Sequence, residues 1–220
     1  MKNIPLLFAL FLMVSTAFGQ SEKFIAAMQP KVSESDTTSN PVRLSELSAA
    51  FERIADAEKT QWLPYYYAAL TKVNEGYVLS QGKTTGGMAS TIDPIADKAE
   101  GLLNKAEALS KDNAEIYLVK KMIAFLRMVA DPMTRYMQQM PLAGAAMETA
   151  KKLNAENPRI YLLEGQDKFF TPEQYGGSKT EAKALFEQAL KKFETFKPAT
   201  ALDPNWGKPM AEYYLRQVKG

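Results

Sequence analysis

The chain has no cysteine and no histidine in its 220 residues. Without cysteine there can be no disulfide, no thiolate nucleophile and no thiolate zinc site. Without histidine the commonest general base and metal ligand is missing. Charge of one sign is also missing: 27 basic residues face 25 acidic ones, for a formal net charge of +2. That balance supplies neither the electrostatic footprint of a nucleic-acid binder nor a polybasic membrane patch. Asn-x-Ser/Thr sites and a calcium-loop motif are absent too. No segment long and apolar enough to span a membrane, about 20 residues, occurs anywhere. The fold must be held by burial, and 46% hydrophobic with 24% charged residues is the composition of an ordinary globular protein.

The N-terminus has a different character. Met1-Lys2-Asn3 precedes the apolar block Ile4 to Val14 and then Ser15-Thr16-Ala17-Phe18-Gly19. One basic residue, a short apolar core and an Ala-x-Gly site predict a secretory signal peptide over residues 1–19, cleaved after Gly19. With no cysteine to lipidate, the mature chain is expected free in the periplasm or outside the cell. Ser33 to Asn40 is free of apolar side chains, so residues 20–40 are predicted to be a flexible leader, and 41–220 the folded domain.

Punctuation after the leader is regular. Asn40-Pro41, Asp93-Pro94, Asn157-Pro158, Thr171-Pro172 and Asp203-Pro204 each place a side-chain acceptor before a proline. An N-cap acceptor satisfies a free helix N–H, and proline suits the first helical position because its missing N–H has no partner there. Ser178 with Glu181 reads as a capping box. Between these signals apolar residues recur three and four apart, as at Leu44, Leu47, Phe51 and Ile54, and no period of two is seen. Helices are predicted at 41–58, 61–80, 94–110, 113–130, 133–153, 158–169, 178–196 and 207–219, an all-α protein of about eight helices.

The chain also repeats itself. Ala106 to Leu118 and Ala150 to Leu162, 44 residues apart, share Ala, Leu, Asn, Ile, Tyr and Leu at equivalent positions across a helix-turn-helix junction. Fainter copies occur at Trp62 to Ala69 and Ala201 to Trp206.

Two short motifs suggest chemistry and fail on spacing. A phosphate loop needs four residues between its first glycine and Gly-Lys-Thr, after a strand. Here Gly76 and Gly82-Lys83-Thr84 enclose five residues, and the preceding segment is helical. Ser80-x-x-Lys83 lacks the Ser-Asp-Asn element of serine acyl enzymes, and Lys83-Thr84-Thr85-Gly86 misses the Lys-Thr-Gly element by one residue. Glu52 and Asp56 share a helix face, but Arg53 and Lys59 beside them describe a solvated surface. No catalytic residue, metal site or cofactor is predicted, and the chain is read as a non-enzyme.

Ala182, Phe186 and Ala189 on one helix, the turn at Asn157-Pro158, and Tyr161 with Gly165 on the next helix resemble the tetratricopeptide repeat. The resemblance covers about residues 42–219 as three to four units, although the family's unit is about 34 residues long and this period is 44. It implies antiparallel helix pairs stacked as an α-solenoid, with small residues admitting close approach. It also implies a concave face lined by the first helix of each pair, which would carry Tyr66, Leu70, Met122, Phe125, Arg159, Gln166 and Phe170. Such a face suits a protein or peptide partner. Asn157-Pro-Arg, Thr171-Pro-Glu, Gly176-Gly177 and Ala184 to Leu190 further resemble small secreted repeat proteins, among them the periplasmic T component of TRAP transporters. Local inserts and the aromatic cluster motivate the alternative, a solute-binding or transport accessory with a small molecule held between helices. The aromatic residues at helical spacing, Trp62 and Tyr65 to Tyr67 among them, are expected to be mostly core. Backbone amides at Gly176-Gly177 offer an anion site or a plain turn.

Overall fold

The computed structural model describes residues 21–81 and 87–219. The predicted signal peptide and the Gly82-Lys83-Thr84 segment lie outside the described residues. The architecture is all-helical, with nine α-helices and no strand among the described residues. In order they are α1 (Glu22–Ser35), α2 (Pro41–Glu58), α3 (Trp62–Ser80), α4 (Ala89–Leu109), α5 (Ala114–Ala130), α6 (Pro132–Leu153), α7 (Pro158–Phe170), α8 (Lys179–Thr195) and α9 (Lys208–Lys219).

The caps place most of these starts. Asn40 Oδ1 accepts from the N–H groups of Val42 and Arg43, Asn157 Oδ1 from that of Arg159, and Ser178 Oγ from that of Glu181. Asn113, with no proline after it, caps α5 in the same way through Glu115 N–H. Three of the five acceptor-proline pairs act otherwise: Asp203-Pro204 lies in the turn ahead of α9, where Asp203 accepts from Thr200 N–H. Asp93-Pro94 falls inside α4, and Thr171-Pro172 opens the single 3-10 turn Glu173–Tyr175 rather than an α-helix. Asp93 is spent on an ion pair with Arg135 of α6, which explains why it is not a cap.

Within the predicted flexible leader the structure places a helix, α1, over Glu22–Ser35. Ser21 caps α1 by accepting from Phe24 N–H at 3.1 Å, and Phe24 and Met28 are buried against the core. Burying two such side chains contributes roughly 1.5–3 kcal/mol each. The polar run begins only where that stripe has ended.

Helix pairs stack along the chain: α3 packs on α4, α5 on α6, and α7 on α8, while α1 lies over α2 and α3, and α9 closes the far end against α8. Neighbouring pairs join closely through α2 against α3 and α4 against α5. The next junction differs, because α6 scarcely touches α7. Close approach of packed helices depends on missing side chains, within the α7–α8 pair at Gly165 and between α3 and α5 at Gly76. A Cβ on Gly165 would stand 2.5 Å from the Phe186 ring, and one on Gly76 would stand 2.6 Å from Leu126. Ala182, Phe186 and Ala189 are fully buried on the α8 side of that contact.

Candidate functional site

The helices α3, α5, α7 and α9 run through the stack on one side, and an aromatic strip crosses them. Tyr77, near the end of α3, donates its O–H to the Met122 carbonyl at 2.8 Å and meets Phe125 edge-on at 6.3 Å. The Lys121 ammonium lies 5.0 Å from the Phe125 ring centre and bonds to Asp167 of α7 at 2.5 Å. On α7, Gln166 donates to Met210 Sδ at 3.0 Å, and Phe169 and Phe170 sit at right angles. Phe170 meets Tyr214 of α9 at 5.4 Å, and Tyr214 in turn stacks on Phe186. Phe170 is 54% exposed, Tyr213 50% and Met210 41%, so the strip presents an apolar surface to solvent. Burial, and then the Asp167 charge, keep the Tyr77 hydroxyl well above its ordinary value. Tyr214 is raised by burial as well. Both stay neutral, which suits contact with apolar ligand surface better than proton transfer.

Of the seven residues placed on the concave face by resemblance, Phe125, Gln166 and Phe170 lie on this strip. Met122 is buried beneath it and lends its carbonyl. Tyr66, Leu70 and Arg159 are not on it: they are buried in the core. Tyr66 accepts from Trp206 Nε1–H at 2.8 Å and donates to Glu115 at 3.2 Å. Glu115 also accepts from Asn157 and from Nε and Nη2 of Arg159, whose remaining Nη1 reaches the Trp206 carbonyl. The guanidinium packs over the Phe196 and Trp206 rings. A buried cation needs a carboxylate and filled hydrogen bonds, and this network supplies both from three separate segments. Its donors and acceptors are spent on one another within the core.

Tyr77, Lys121, Asp167, Met210, Tyr213 and Tyr214 belong to the strip and were not singled out from sequence. A signal for some of them exists in the repeat. Met122, Gln166 and Met210 are spaced 44 apart, as are Phe125, Phe169 and Tyr213, so carrying the period one unit further reaches α9.

Other features are less suited to a site. An open polar depression of about 320 Å³ lies between the α4–α5 and α6–α7 turns, and an open, mainly apolar one of about 350 Å³ lies between α1 and α2. Met133, Tyr136 and Met137 stand exposed at the start of α6. Glu52 pairs with Lys98 and Asp56 with the Tyr65 hydroxyl, as expected of a surface. The amides of Gly176 and Gly177 are already bonded to the Glu173 and Pro172 carbonyls, so that turn holds no anion through them. No group of three or more potential metal ligands occurs among the described residues, and no described helix is long and apolar enough to cross a membrane.

The described residues thus form a helical stack with an exposed aromatic strip. No protein-family model matches the chain, and no curated protein matches it. Among solved structures it is similar to the HusA haemophore from Porphyromonas gingivalis, with a TM-score of 0.77 and 29% sequence identity. The likeness covers 91% of this chain and 95% of that one.

Proposed function

We propose that this chain is a secreted, non-catalytic carrier that holds a haem-type tetrapyrrole on the aromatic strip. The observation that carries the reading is the likeness to a haemophore over 91% of the chain. The strip supports it physically, because a planar apolar macrocycle gains both area burial and ring stacking on Phe125, Phe170 and Tyr214. With no histidine and no cysteine in the chain, the commonest protein ligands to haem iron are missing. The macrocycle is therefore held through its faces and edges. Export through the predicted signal peptide places the carrier in the periplasm or outside the cell.

Titration of residues 20–220 with ferric protoporphyrin tests this. A saturable one-to-one change in the Soret band, with quenching of tryptophan fluorescence, is expected. Phe170→Ala and Tyr213→Ala should each weaken binding about tenfold, the worth of one good aromatic contact. No saturable change would overturn the carrier reading.

A second reading draws on the exposure of the strip. A tetratricopeptide-like scaffold that takes a protein or peptide partner needs such an open face, and Phe170 and Tyr213 at about half exposure offer one. Failure of tetrapyrrole binding together with binding of an extended peptide weakened by Phe170→Ala would favour it.

A further inference from the structure

Two basic side chains are buried among the described residues, Arg159 and Lys121. Arg159 has its donors taken up by Glu115 and Trp206. Lys121 is different. Its ammonium carries three N–H donors, its side chain is 4% exposed, and Asp167 is its one hydrogen-bond partner among the described residues. Its other close neighbour is the face of Phe125. Asp167 is 32% exposed and stands on the strip beside Gln166.

These two ends of the ion pair have unequal freedom. Turning outward, the Asp167 carboxylate, at 32% exposure, would exchange an ammonium for water. Lys121 has no such exit, and left alone its buried charge would be strongly disfavoured. A second carboxylate arriving from the strip would restore that charge's partner and fill donors that now have none.

We propose that Asp167 is a placeholder and that Lys121 receives a carboxylate of the bound ligand. The inference rests on the carrier reading and extends it to what the chain recognises. The apolar body lies on Phe125, Phe170 and Tyr214, and an acidic arm turns down to Lys121. The ligand class is thus an apolar ring system bearing carboxylate side chains, and Lys121 is the specificity residue for that arm. A pair that merely ties α5 to α7 would behave otherwise, since both of its members would then matter in the same direction.

The test compares ferric protoporphyrin with its dimethyl ester on the wild-type chain, Lys121→Met and Asp167→Asn, with circular dichroism to establish that each variant is folded. Wild type should bind the diacid about tenfold more tightly than the ester, the ratio one charge-assisted hydrogen bond supports. Lys121→Met keeps the apolar stem and should bind the two forms equally. Asp167→Asn removes the competitor and should bind the diacid more tightly than wild type. Diacid affinity that falls in both variants, or an acid preference that survives Lys121→Met, would overturn the proposal. The wild-type comparison needs no variant to fold: equal binding of acid and ester overturns the role of Lys121 and leaves the carrier reading standing. Binding of neither form removes both.

Discussion

Glu115 and Arg159 occupy equivalent positions of the 44-residue repeat and pair with each other across it. Each lies two residues beyond an asparagine cap, Asn113 and Asn157, so the same turn delivers a carboxylate from α5 and a guanidinium from α7. Where α6 scarcely touches α7, this pair and its partners Tyr66 and Trp206 join the two halves of the stack.

Removing one member should therefore be costly. Arg159→Ala leaves Glu115 buried with its strongest partner gone, and is expected to destabilise the fold by about 3–5 kcal/mol. Replacing both, Glu115→Leu with Arg159→Met, should recover much of the loss because no charge is left buried. Urea unfolding followed by circular dichroism measures both. A loss below about 1 kcal/mol for Arg159→Ala would show that the network contributes little.

Because α1 belongs to the core, its apolar stripe should matter. Phe24→Ala is expected to cost about 3–5 kcal/mol if the site does not collapse. Limited proteolysis of the wild-type chain should spare residues 22–35. Rapid cleavage there, with the remainder unchanged in stability, would restore the picture of a mobile leader.

Two aspartates should shape the acid side of the stability profile in opposite directions. Asp93 accepts from both terminal nitrogens of Arg135 at 2.5 and 2.8 Å, and that hydrogen bonding holds its carboxyl below the ordinary 3.8. Its stabilisation is complete above the unfolded value and is lost as the pH falls through the lower folded value. Asp36 keeps contact with solvent, yet the surrounding protein pushes it up to about 6 while Arg159 pulls it back. The folded chain takes up that proton more readily than the unfolded chain, so stability rises as the pH falls from about 6 towards 3.8. The melting temperature should pass through a maximum in mildly acidic solution. Asp36→Asn should remove the rise and Asp93→Asn the fall, and a wild-type profile flat from neutral to about pH 4 would contradict the Asp36 assignment.

A carrier without histidine or cysteine should be indifferent to the metal. Iron-free protoporphyrin is expected to bind within about threefold of the ferric form, a difference near 0.6 kcal/mol. A ferric form bound a hundredfold more tightly would point instead to coordination by a tyrosine or methionine, and the Soret band would carry its signature.

Much of the helical framework was legible in the sequence. Asn40, Asn157 and Ser178 cap helices as their side-chain chemistry predicts, because a cap is a contact between residues two or three apart. Helix α1 was missed because its stripe is thin. Phe24, Met28 and Val32 fall four apart, but the polar run Ser33 to Asn40 dominates the composition around them. The tetratricopeptide resemblance named Phe125, Gln166 and Phe170 together with Tyr66, Leu70 and Arg159, but the last three lie inside, because side chains at the same helical spacing are sorted by partners distant in the chain.

Sequence alone determined most of the helices from α2 onward and the 44-residue period, since these depend on caps, short turns and side chains three or four residues apart. Tertiary structure decided which polar and aromatic groups were enclosed. Arg159 is core because Glu115, 44 residues earlier, stands opposite it, and Phe170, the last residue of α7, is surface, with Phe169 and Tyr214 as its ring neighbours. Burial of a charge is settled by a partner distant in the chain, and the strip exists only where four helices bring such distant residues onto one face.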